Sequence, residues 1–593
     1  MSRLLKYLFV ISTFILLATG CDLNFSPLNQ ISDADVWEDQ QLIEAYINDM
    51  YDGLDHGYRE NMLESVTDNA SYLPCGADNY VRGVISASDM TAFGAGCGGD
   101  RMRRLLWAYN YDRIRDNNIF LEQIDNVGDH VVDEETRRRM KGEVHFFRAF
   151  HYHNLLRSYG GVPIVDKAYN LDDEMLVSRN SFEETVNFIV QDLERATELL
   201  PEVQPDKNGA GATKGAALAL KTRVLLHAAS DLYNKNPENE LVGYTSGDQQ
   251  QRWRAAKTAA QEVMDLGLYE LYNRYPEDPS RNYGQIWLDN SDHEEAIMSR
   301  FFLSHRGDDY SIGLRAGPNG YHNWATNTPI QQFIDAFEMS DGSKFDWNNP
   351  KHASAPYENR DPRFYATVSY DGAKWSERPA TVRQYEPNSI VQTFTSITIH
   401  EPDGSTRTRP GVDTRSGPVE DWNGSWTGYH MIKAIDPNVQ HHQETQEIPW
   451  RFFRYAEVLL AFAEASIELG EEDDARWAIN QIRNRAGMPD IVANGDELKQ
   501  KYRNERRIEM SYEDQRFWDI RRWMIAPEVM NENGKAIEIH VEATDEHDRS
   551  TYFNYQYSVY EWQERNWNDR MYFMPISLQE LNRNSNLKQN PGY

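Results

Sequence analysis

The stretch Glu505–Trp523, ERRIEMSYEDQRFWDIRRW, combines many charges of both signs with large apolar side chains. Opposite charges recur three residues apart, at Arg506–Glu509, Glu513–Arg516 and Asp519–Arg522. On an exposed helix each such pair contributes about 0.2–0.5 kcal/mol. So many arginines among aromatic residues therefore indicate half-buried guanidinium groups that need carboxylate or carbonyl partners. The interleaved acids argue against a nucleic-acid face, and we interpret the stretch as a helical structural joint.

The first twenty residues have the pattern of an export signal. Arg3 and Lys6 precede the apolar run from Tyr7 to Ala18, which is shorter than the roughly 20 residues of a membrane-spanning helix. The sequence ATGC ending at Cys21 is typical of a bacterial lipobox, although the usual leucine lies one place early, at Leu17. We predict a signal peptide at 1–20 and a lipidated tether at 21–35; the alternative is a plain signal peptide that contains a cysteine.

The composition is acidic and rich in aromatic residues. The formal net charge is −32, which makes nucleic acid or an anionic membrane surface a poor partner. Aromatic residues make up 12% of the chain, with 15 tryptophans and 33 tyrosines. Because sugar rings stack their C–H faces on aromatic faces, this composition in an exported protein favours carbohydrate binding. The chain has two cysteines in addition to Cys21. Cys75 and Cys97 either form a disulfide in an oxidising compartment or remain two thiols.

Helix signals dominate both ends of the chain. Ser181 followed by Glu184 forms a capping box, which predicts a helix from there to about Pro201. Residues 455–487 read as one complete helix pair of the tetratricopeptide kind, and similar pairs are scattered elsewhere. Since one such pair cannot bury its apolar face alone, the pairs are expected to stack into a scaffold. The sequence predicts a mainly α fold with a few short strands.

Two loop-rich excursions interrupt the helices. Residues 66–104 and the loop Asp308–Thr328 are dense in Gly, Asn, Asp and aromatic residues. Long ordered loops of this kind are usually functional. Similar polar surroundings hold Trp375, Trp422 and Trp426. The sequence does not decide whether each of them lies at the surface or in the core.

The stretch Glu505–Trp523 resembles the late signature of the SusD/RagB family, E-R-R-x-E-L-x-x-E-G-x-R-x-x-D-L-R-R-W. Met510 stands in place of its leucine and Asp514 in place of its glycine, and we expect a helix to tolerate both. Further blocks resemble the family in its order: GEVHFFRAFHYHNLLRSYGGVPIV, NFIVQDLERATELLP, ATKGAALALKTRVLLHAA, DAFEMSDG, RDPRFYATV, RYAEVLLAFAEA and YFMPISLQELNRNSNLKQNPGY. The resemblance covers nearly the whole chain.

This resemblance implies a SusD-like fold with tetratricopeptide-like helix pairs and an irregular half that faces the ligand. We expect a helical region at 36–270 and a second region at 271–593, loop-rich to about 450, packed as one unit. The resemblance also implies a surface lipoprotein of the outer membrane. Such a protein captures an oligosaccharide or polysaccharide and acts as the lid of a SusC-like TonB-dependent transporter, without a cofactor or catalysis.

The predicted ligand residues combine loop texture with approximate placement in the family. They are Asp78, Asn79 and Tyr80 in the first excursion, Tyr310, Tyr321 and Trp324 in the second, and Trp426 beyond it. The aromatic rings would stack on sugar faces, and Asp78 and Asn79 would bond hydroxyl groups.

Two other classes remain as alternatives. A surface glycoside hydrolase needs two carboxylates fixed about 5–10 Å apart across a cleft, and the sequence carries no hydrolase or zinc-protease motif that would mark them. A scaffold lipoprotein would use its helices for protein partners alone. We expect no metal site, and we interpret His441 and His442 as an exposed loop pair.

Overall fold

The computed structural model describes residues 33–72, 77–89, 102–170, 172–204, 209–235, 237–303 and 312–593. The predicted signal peptide, Cys21, Cys75, Cys97 and Tyr310 lie outside these ranges. The helices before residue 300 are α1 (Asp33–Val36), α2 (Gln40–Asp52), α3 (Ala77–Val81), α4 (Trp107–Gln123), α5 (Glu134–Tyr159), α6 (Phe182–Leu199), α7 (Lys214–Ala229), α8 (Asp231–Asn234), α9 (Gln249–Met264) and α10 (Pro279–Leu288).

Shorter helices follow, and long ones return after residue 454. They are α11 (Ile312–Ala316), α12 (Gln331–Ala336), α13 (Pro350–Ser354), α14 (Pro362–Thr367), α15 (Tyr455–Leu469), α16 (Glu472–Arg485), α17 (Gly495–Glu509), α18 (Arg516–Arg522), α19 (Ala526–Met530) and α20 (Leu578–Arg583). None of the described helices combines the length and apolar character that crossing a membrane requires. The mainly α class predicted from the sequence is confirmed.

The long helices form one continuous stack. Helix α4 packs on α5, α5 on α6, α6 on α7, and α7 on α9. Helix α9 then packs on α15, and α15 on α16, although most of the loop-rich part of the chain lies between α9 and α15. The loop-rich part is therefore an insertion into a stack whose two arms meet where α9 contacts α15.

Local sequence explains where two helices of this stack begin and how closely one of them packs. The Ser181 hydroxyl accepts the backbone N–H of Glu184 at 3.1 Å, and the Glu184 carboxylate accepts the Ser181 N–H at 2.8 Å, which confirms the predicted capping box. At the start of α7, a Cβ atom on Gly215 would lie 1.9 Å from the Tyr269 hydroxyl oxygen. Glycine at this position therefore lets the chain after α9 approach α7 closely.

The stretch Glu505–Trp523 is not one continuous helix. Helix α17 ends at Glu509, α18 begins at Arg516, and between them Tyr512 and Asp514 have φ values of +59° and +61°. The expectation that a helix carries Asp514 is therefore wrong, because this position lies in the left-handed region that favours glycine. Glycine, which the family pattern has at this position, adopts this region without a Cβ clash.

Most charges of this stretch are more deeply buried than the half-buried positions predicted, and several of their partners are far away in sequence. Arg506 pairs with Asp519 at 2.8 Å and not with Glu509. Arg516 pairs with Asp68 at 2.7 Å and not with Glu513. The predicted Asp519–Arg522 pair is present at 2.8 Å.

The strands are β1 (Ala70–Ser71), β2 (Ala296–Arg300), β3 (Thr328–Pro329), β4 (Val368–Ser369), β5 (Ser396–His400), β6 (Thr406–Arg409), β7 (His430–Met431), β8 (Trp450–Arg454), β9 (Gly534–Ala543) and β10 (Tyr552–Gln563). A four-stranded sheet has the order β10-β9-β5-β6, with β5 and β9 parallel and the other neighbours antiparallel. Ile537 and Ile539 of β9 face the hydrophobic core. Since strand residues alternate, Glu538 and His540 lie on the opposite, more open face.

Candidate ligand-binding surface

The two excursions meet through a short pair of strands. In the antiparallel β1–β3 pair, Ala70 lies opposite Pro329 and Ser71 opposite Thr328. Next to β3, the Asn327 side chain accepts the backbone N–H of Met62 at 2.9 Å. The described parts of the two excursions are therefore fixed relative to each other at this point.

The predicted residues of the first excursion lie on α3, with unequal exposure. Asn79 is exposed, and the half-buried Asp78 accepts the side-chain N–H of Gln563 at 3.3 Å. Tyr80 is 1% exposed, and its ring centroid lies 5.6 Å from the guanidinium carbon of Arg521. Because neither face of the Tyr80 ring reaches solvent, it packs the interior in this structure and offers no stacking surface.

The second excursion shows the same contrast between neighbours. Tyr321 is 4% exposed, and its ring lies 4.1 Å from the guanidinium carbon of Arg378, which pairs with Asp413 at 2.6 Å. Burial raises the pKa of the Tyr321 hydroxyl above its usual value, and the carboxylate of Asp413 adds to the rise. Trp324, three residues later, is 38% exposed. Of these two predicted rings, Trp324 is the one that a ligand can reach.

His322 links the Trp324 segment to a second loop, residues 411–428. Its Nδ1 atom lies 2.9 Å from a carboxylate oxygen of Glu420, and its Nε2 atom lies 2.9 Å from the hydroxyl of Thr381. The side chain of Asn319 donates to the carbonyl oxygen of Val419 at 2.8 Å. These bonds hold two loops that carry exposed tryptophans against each other.

The loop 411–428 carries a compact aromatic group. Trp422 is 67% exposed and Trp426 is 40% exposed. The guanidinium carbon of Arg415 lies 3.7 Å from the Trp426 ring centroid, and Arg415 also donates to the Trp422 carbonyl oxygen at 2.9 Å. Trp426 stacks on Trp562 with ring centroids 5.9 Å apart and planes 7° from parallel. The arginine therefore holds the loop and one tryptophan in place while Trp422 remains open to solvent.

Trp562 brings the aromatic group close to the first excursion. It precedes Gln563, whose side chain reaches both Asp78 and, at 3.1 Å, the hydroxyl of Ser71. The candidate surface thus contains Asp78, Asn79, Trp324 and Trp426 of the predicted residues. It also contains Trp422 and Trp562, which the predicted set omits.

The sequence contains a local signal for Trp422 but none for Trp562. Trp422 stands in a polar loop beside Trp426, so its loop texture is a usable signal. Trp562 is the penultimate residue of the strand Tyr552–Gln563, which is rich in tyrosine, so nothing local distinguishes it from the other aromatic residues of the strand. Its stacking on Trp426 depends on a pairing between segments that are distant in sequence.

A cavity lies away from the candidate surface, and the described residues contain no cluster of metal-binding side chains. A cavity of about 460 Å³ lies between α12 and α17, lined by residues such as Asp335, Lys501 and Arg507, and it includes none of the predicted ligand residues. The described residues contain no group of three or more His, Cys, Asp or Glu side chains that could hold a metal ion. His441 is buried and bonds the carbonyl oxygen of Asp436 at 2.9 Å, so its expected exposure is wrong.

Two family models match this chain in succession. Residues 284–593 match the model of the SusD family, and residues 23–226 match a SusD-like model described as "starch-binding associating with outer membrane". The chain belongs to the SusD family. A SusD-like protein of Formosa agariphila is 25% identical over 550 residues, which cover 89% of this chain and 92% of that protein.

Solved structures of SusD-like proteins share the fold. A SusD-like protein from Bacteroides fragilis superposes with a TM-score of 0.73 at 29% identity, covering 96% of this chain and all of the other. Surface glycan-binding protein A from Bacteroides fluxus superposes with a TM-score of 0.60 at 20% identity and covers 94% of this chain and all of its own. The SusD family assignment therefore rests on both sequence and fold.

Proposed function

We propose that this SusD-family protein binds a glycan at the cell surface and delivers it to a SusC-like TonB-dependent transporter, for which it serves as the lid. The observation that carries the proposal is the exposed tryptophan group of Trp324, Trp422 and Trp426 on loops that are braced against each other. A binding protein needs such a surface to be fixed before the ligand arrives, because ordering loops on binding reduces the affinity.

The chemistry of the surface suits a sugar. The open indole of Trp422 offers an apolar face to the C–H groups of a sugar ring, while the exposed Asn79 and the half-buried Asp78 and Glu420 offer partners for hydroxyl groups. The tryptophans would supply most of the affinity, and the polar groups would set the orientation. The second matching family model is described as starch-binding and one structural neighbour as a surface glycan-binding protein, which supports the same class of ligand.

The lipobox-like sequence before Cys21 and the family description support a placement at the cell surface. The family description associates its members with the outer membrane. We infer that Cys21 carries the lipid anchor and that the body lies outside the cell. The helix stack, which carries none of the tryptophan loops, would then contact the transporter.

A glycan-retention experiment tests the binding function. The body without residues 1–21 is applied to an array of plant, algal and host glycans, as wild type and as the Trp324→Ala/Trp422→Ala double variant. Since both side chains are exposed, the double variant should lose glycan retention while its melting temperature stays close to that of the wild type. Retention equal to the wild type would contradict the proposed surface.

The control and the product analysis complete this test. Trp477 on α16 is also exposed, at 48%, but lies on the helix stack, so Trp477→Ala should retain glycans as the wild type does. Chromatography of the released sugar should recover it intact, because the proposal involves no bond breaking. Shortened products would instead favour the hydrolase alternative.

A further inference from the structure

The edge strand β10 carries a further exposed ring before Trp562, and a register shift between Glu561 and Gln563 interrupts the regular alternation at Trp562. Tyr560, two residues before Trp562, is 39% exposed and lies opposite Ala536 of β9, which is fully buried. Residues two apart on a strand share a face. Gln556, Ser558 and Tyr560 therefore lie on the face opposite Tyr557, whose partly buried ring packs against the core.

The rest of this sheet face is polar. Gln556 lies opposite His540 of β9, and Ser558 lies opposite Glu538. His540 continues the row across the parallel pair, where its Nδ1 atom lies 2.7 Å from the Ser396 hydroxyl. The face thus presents amide, hydroxyl, imidazole and carboxylate groups in register across three strands. Groups of this kind bond sugar hydroxyls.

The aromatic and polar parts adjoin each other along β10, where Ser558 and Tyr560 lie on one face. The Glu538 carboxylate lies close enough to Tyr560 to add to the rise in the pKa of its hydroxyl, after burial as the main cause. From Gln556 to Trp562 the strand extends about 20 Å, which is longer than a single sugar ring. Trp562 stacks on Trp426, whose loop also carries the exposed Trp422.

We propose that the glycan lies as an extended, neutral polysaccharide chain along a strip formed by Trp422, Trp426, Trp562 and Tyr560, and continues over the polar sheet face of Gln556, Ser558 and His540. This inference rests on the proposed function and adds the ligand class to it: a long chain and not a single sugar or chain end. The carboxylates of Glu538 and Glu542 on this face, in a chain of net charge −32, disfavour an acidic polysaccharide.

Chain length is the variable that tests the strip. The probes are β-1,3-glucan, α-1,4-glucan and β-1,4-xylan chains, each as trisaccharide and octasaccharide, with an alginate octasaccharide as the acidic probe. Calorimetry on the wild-type body should find one neutral series in which the octasaccharide binds about tenfold more tightly than the trisaccharide. It should also bind more tightly than the alginate probe.

Two variants assign the gain to β10. In Tyr560→Ala the octasaccharide should lose about 3- to 10-fold in affinity, the range expected for one aromatic stacking contact. Tyr560→Phe keeps the ring and should keep the gain, and Trp477→Ala should behave as the wild type. Equal melting temperatures would show that the loss in Tyr560→Ala is not caused by unfolding.

The two proposals fail in different ways. An octasaccharide bound equally by wild type and Tyr560→Ala, a trisaccharide bound as tightly as the octasaccharide, or a preference for alginate would each overturn the strip and leave glycan binding intact. If the wild type binds none of the neutral chains and the retention array is also negative, both proposals fall.

Discussion

Glu64 is a buried carboxyl group whose surroundings hold a proton. It is 1% exposed, accepts the Asn69 side-chain N–H at 2.6 Å, and also bonds the backbone of Tyr512 in the turn between α17 and α18. These bonds favour the carboxylate, but burial is the larger effect and raises the pKa of Glu64 to about 7. A charge in this position opposes folding, because the carboxyl group is buried and its Oε2 atom has no hydrogen-bond partner among the described side chains.

This raised pKa makes the stability depend on pH. Between its ordinary pKa of 4.5 and about 7, the folded state keeps a proton that the unfolded state has released, so the contribution of Glu64 to stability falls as the pH rises through this window. Glu64→Gln should therefore stabilise the protein at pH 8 by about 3 kcal/mol and leave it nearly unchanged at pH 4. Urea unfolding at the two pH values measures both quantities.

The exposed Glu528 provides the matched control for Glu64. Glu528→Gln should change the free energy of unfolding little at either pH, because the side chain is solvated in both states. A gain of equal size at pH 4 and pH 8 in Glu64→Gln would show that the substitution acts through packing and not through the proton.

The burial of the arginine side chains was predictable from the sequence, whereas the acids that pair with them were not. The density of arginines among aromatic residues correctly indicated buried guanidinium groups. Their acids could not be assigned, because Arg516 reaches Asp68 across 448 positions of the chain. The same limit explains Tyr80 and Tyr321, whose loop texture does not reveal that Arg521 and Arg378 cover their rings.

At the scale of elements, the turn between α17 and α18 places two residues, Tyr512 and Asp514, in the strained left-handed region. Asp514 has a φ of +61° and is held by Arg104, whose guanidinium group lies 2.7 Å from its carboxylate. The ion pair offsets the strain that a side chain experiences in the left-handed region. An element boundary of this kind looks like helix in the sequence, since the flanking residues keep helical spacing.

Two substitutions separate the strain from the ion pair. Asp514→Gly and Asp514→Ala both remove the contact with Arg104, but alanine keeps a Cβ atom and glycine does not. The glycine variant should therefore be the more stable by about 1 kcal/mol. Denaturant unfolding of both proteins measures the difference, and equal stabilities would mean that the turn relaxes when the ion pair is lost.

Gly470 provides a second position at which the cost of a Cβ atom in the left-handed region can be measured. Gly470, the residue after α15, has a φ of +78° with open space around a built Cβ atom. Gly470→Ala should cost about as much as alanine costs relative to glycine at position 514, because strain alone acts there.

At the scale of the whole molecule, buried charges connect the helix stack to the inserted part. Arg454 at the end of β8 donates to Glu509 of α17 at 2.6 Å and to Glu295, just before β2, at 2.7 Å. Arg363 of α14 reaches the other oxygen of Glu509 at 3.0 Å, and Arg485 of α16 completes the set. One carboxylate thus bonds arginines from three separate elements.

The stack and this network explain what sequence patterns could establish about the overall organisation. Helix pairs and the loop-rich texture are local properties, so the mainly α class was predictable. The contact between α9 and α15 is not a local property, because it forms only if the inserted residues between them bring α15 back to α9. The prediction that regions 36–270 and 271–593 pack as one unit likewise needs a thermodynamic measurement.

Calorimetry of the Glu509→Gln variant supplies that measurement. If the helix stack and the inserted part form one cooperative unit, the wild type should unfold in a single transition, with equal calorimetric and van't Hoff enthalpies. Glu509→Gln leaves three arginines with a neutral partner in the interior, so it should cost about 3–5 kcal/mol and move the whole transition to lower temperature. Asp473→Asn, at an ion pair whose carboxylate is exposed, should shift it little. Two transitions in the wild type, or a shift of one part alone in Glu509→Gln, would mean that the insertion folds as a unit of its own and that the buried arginines join two domains.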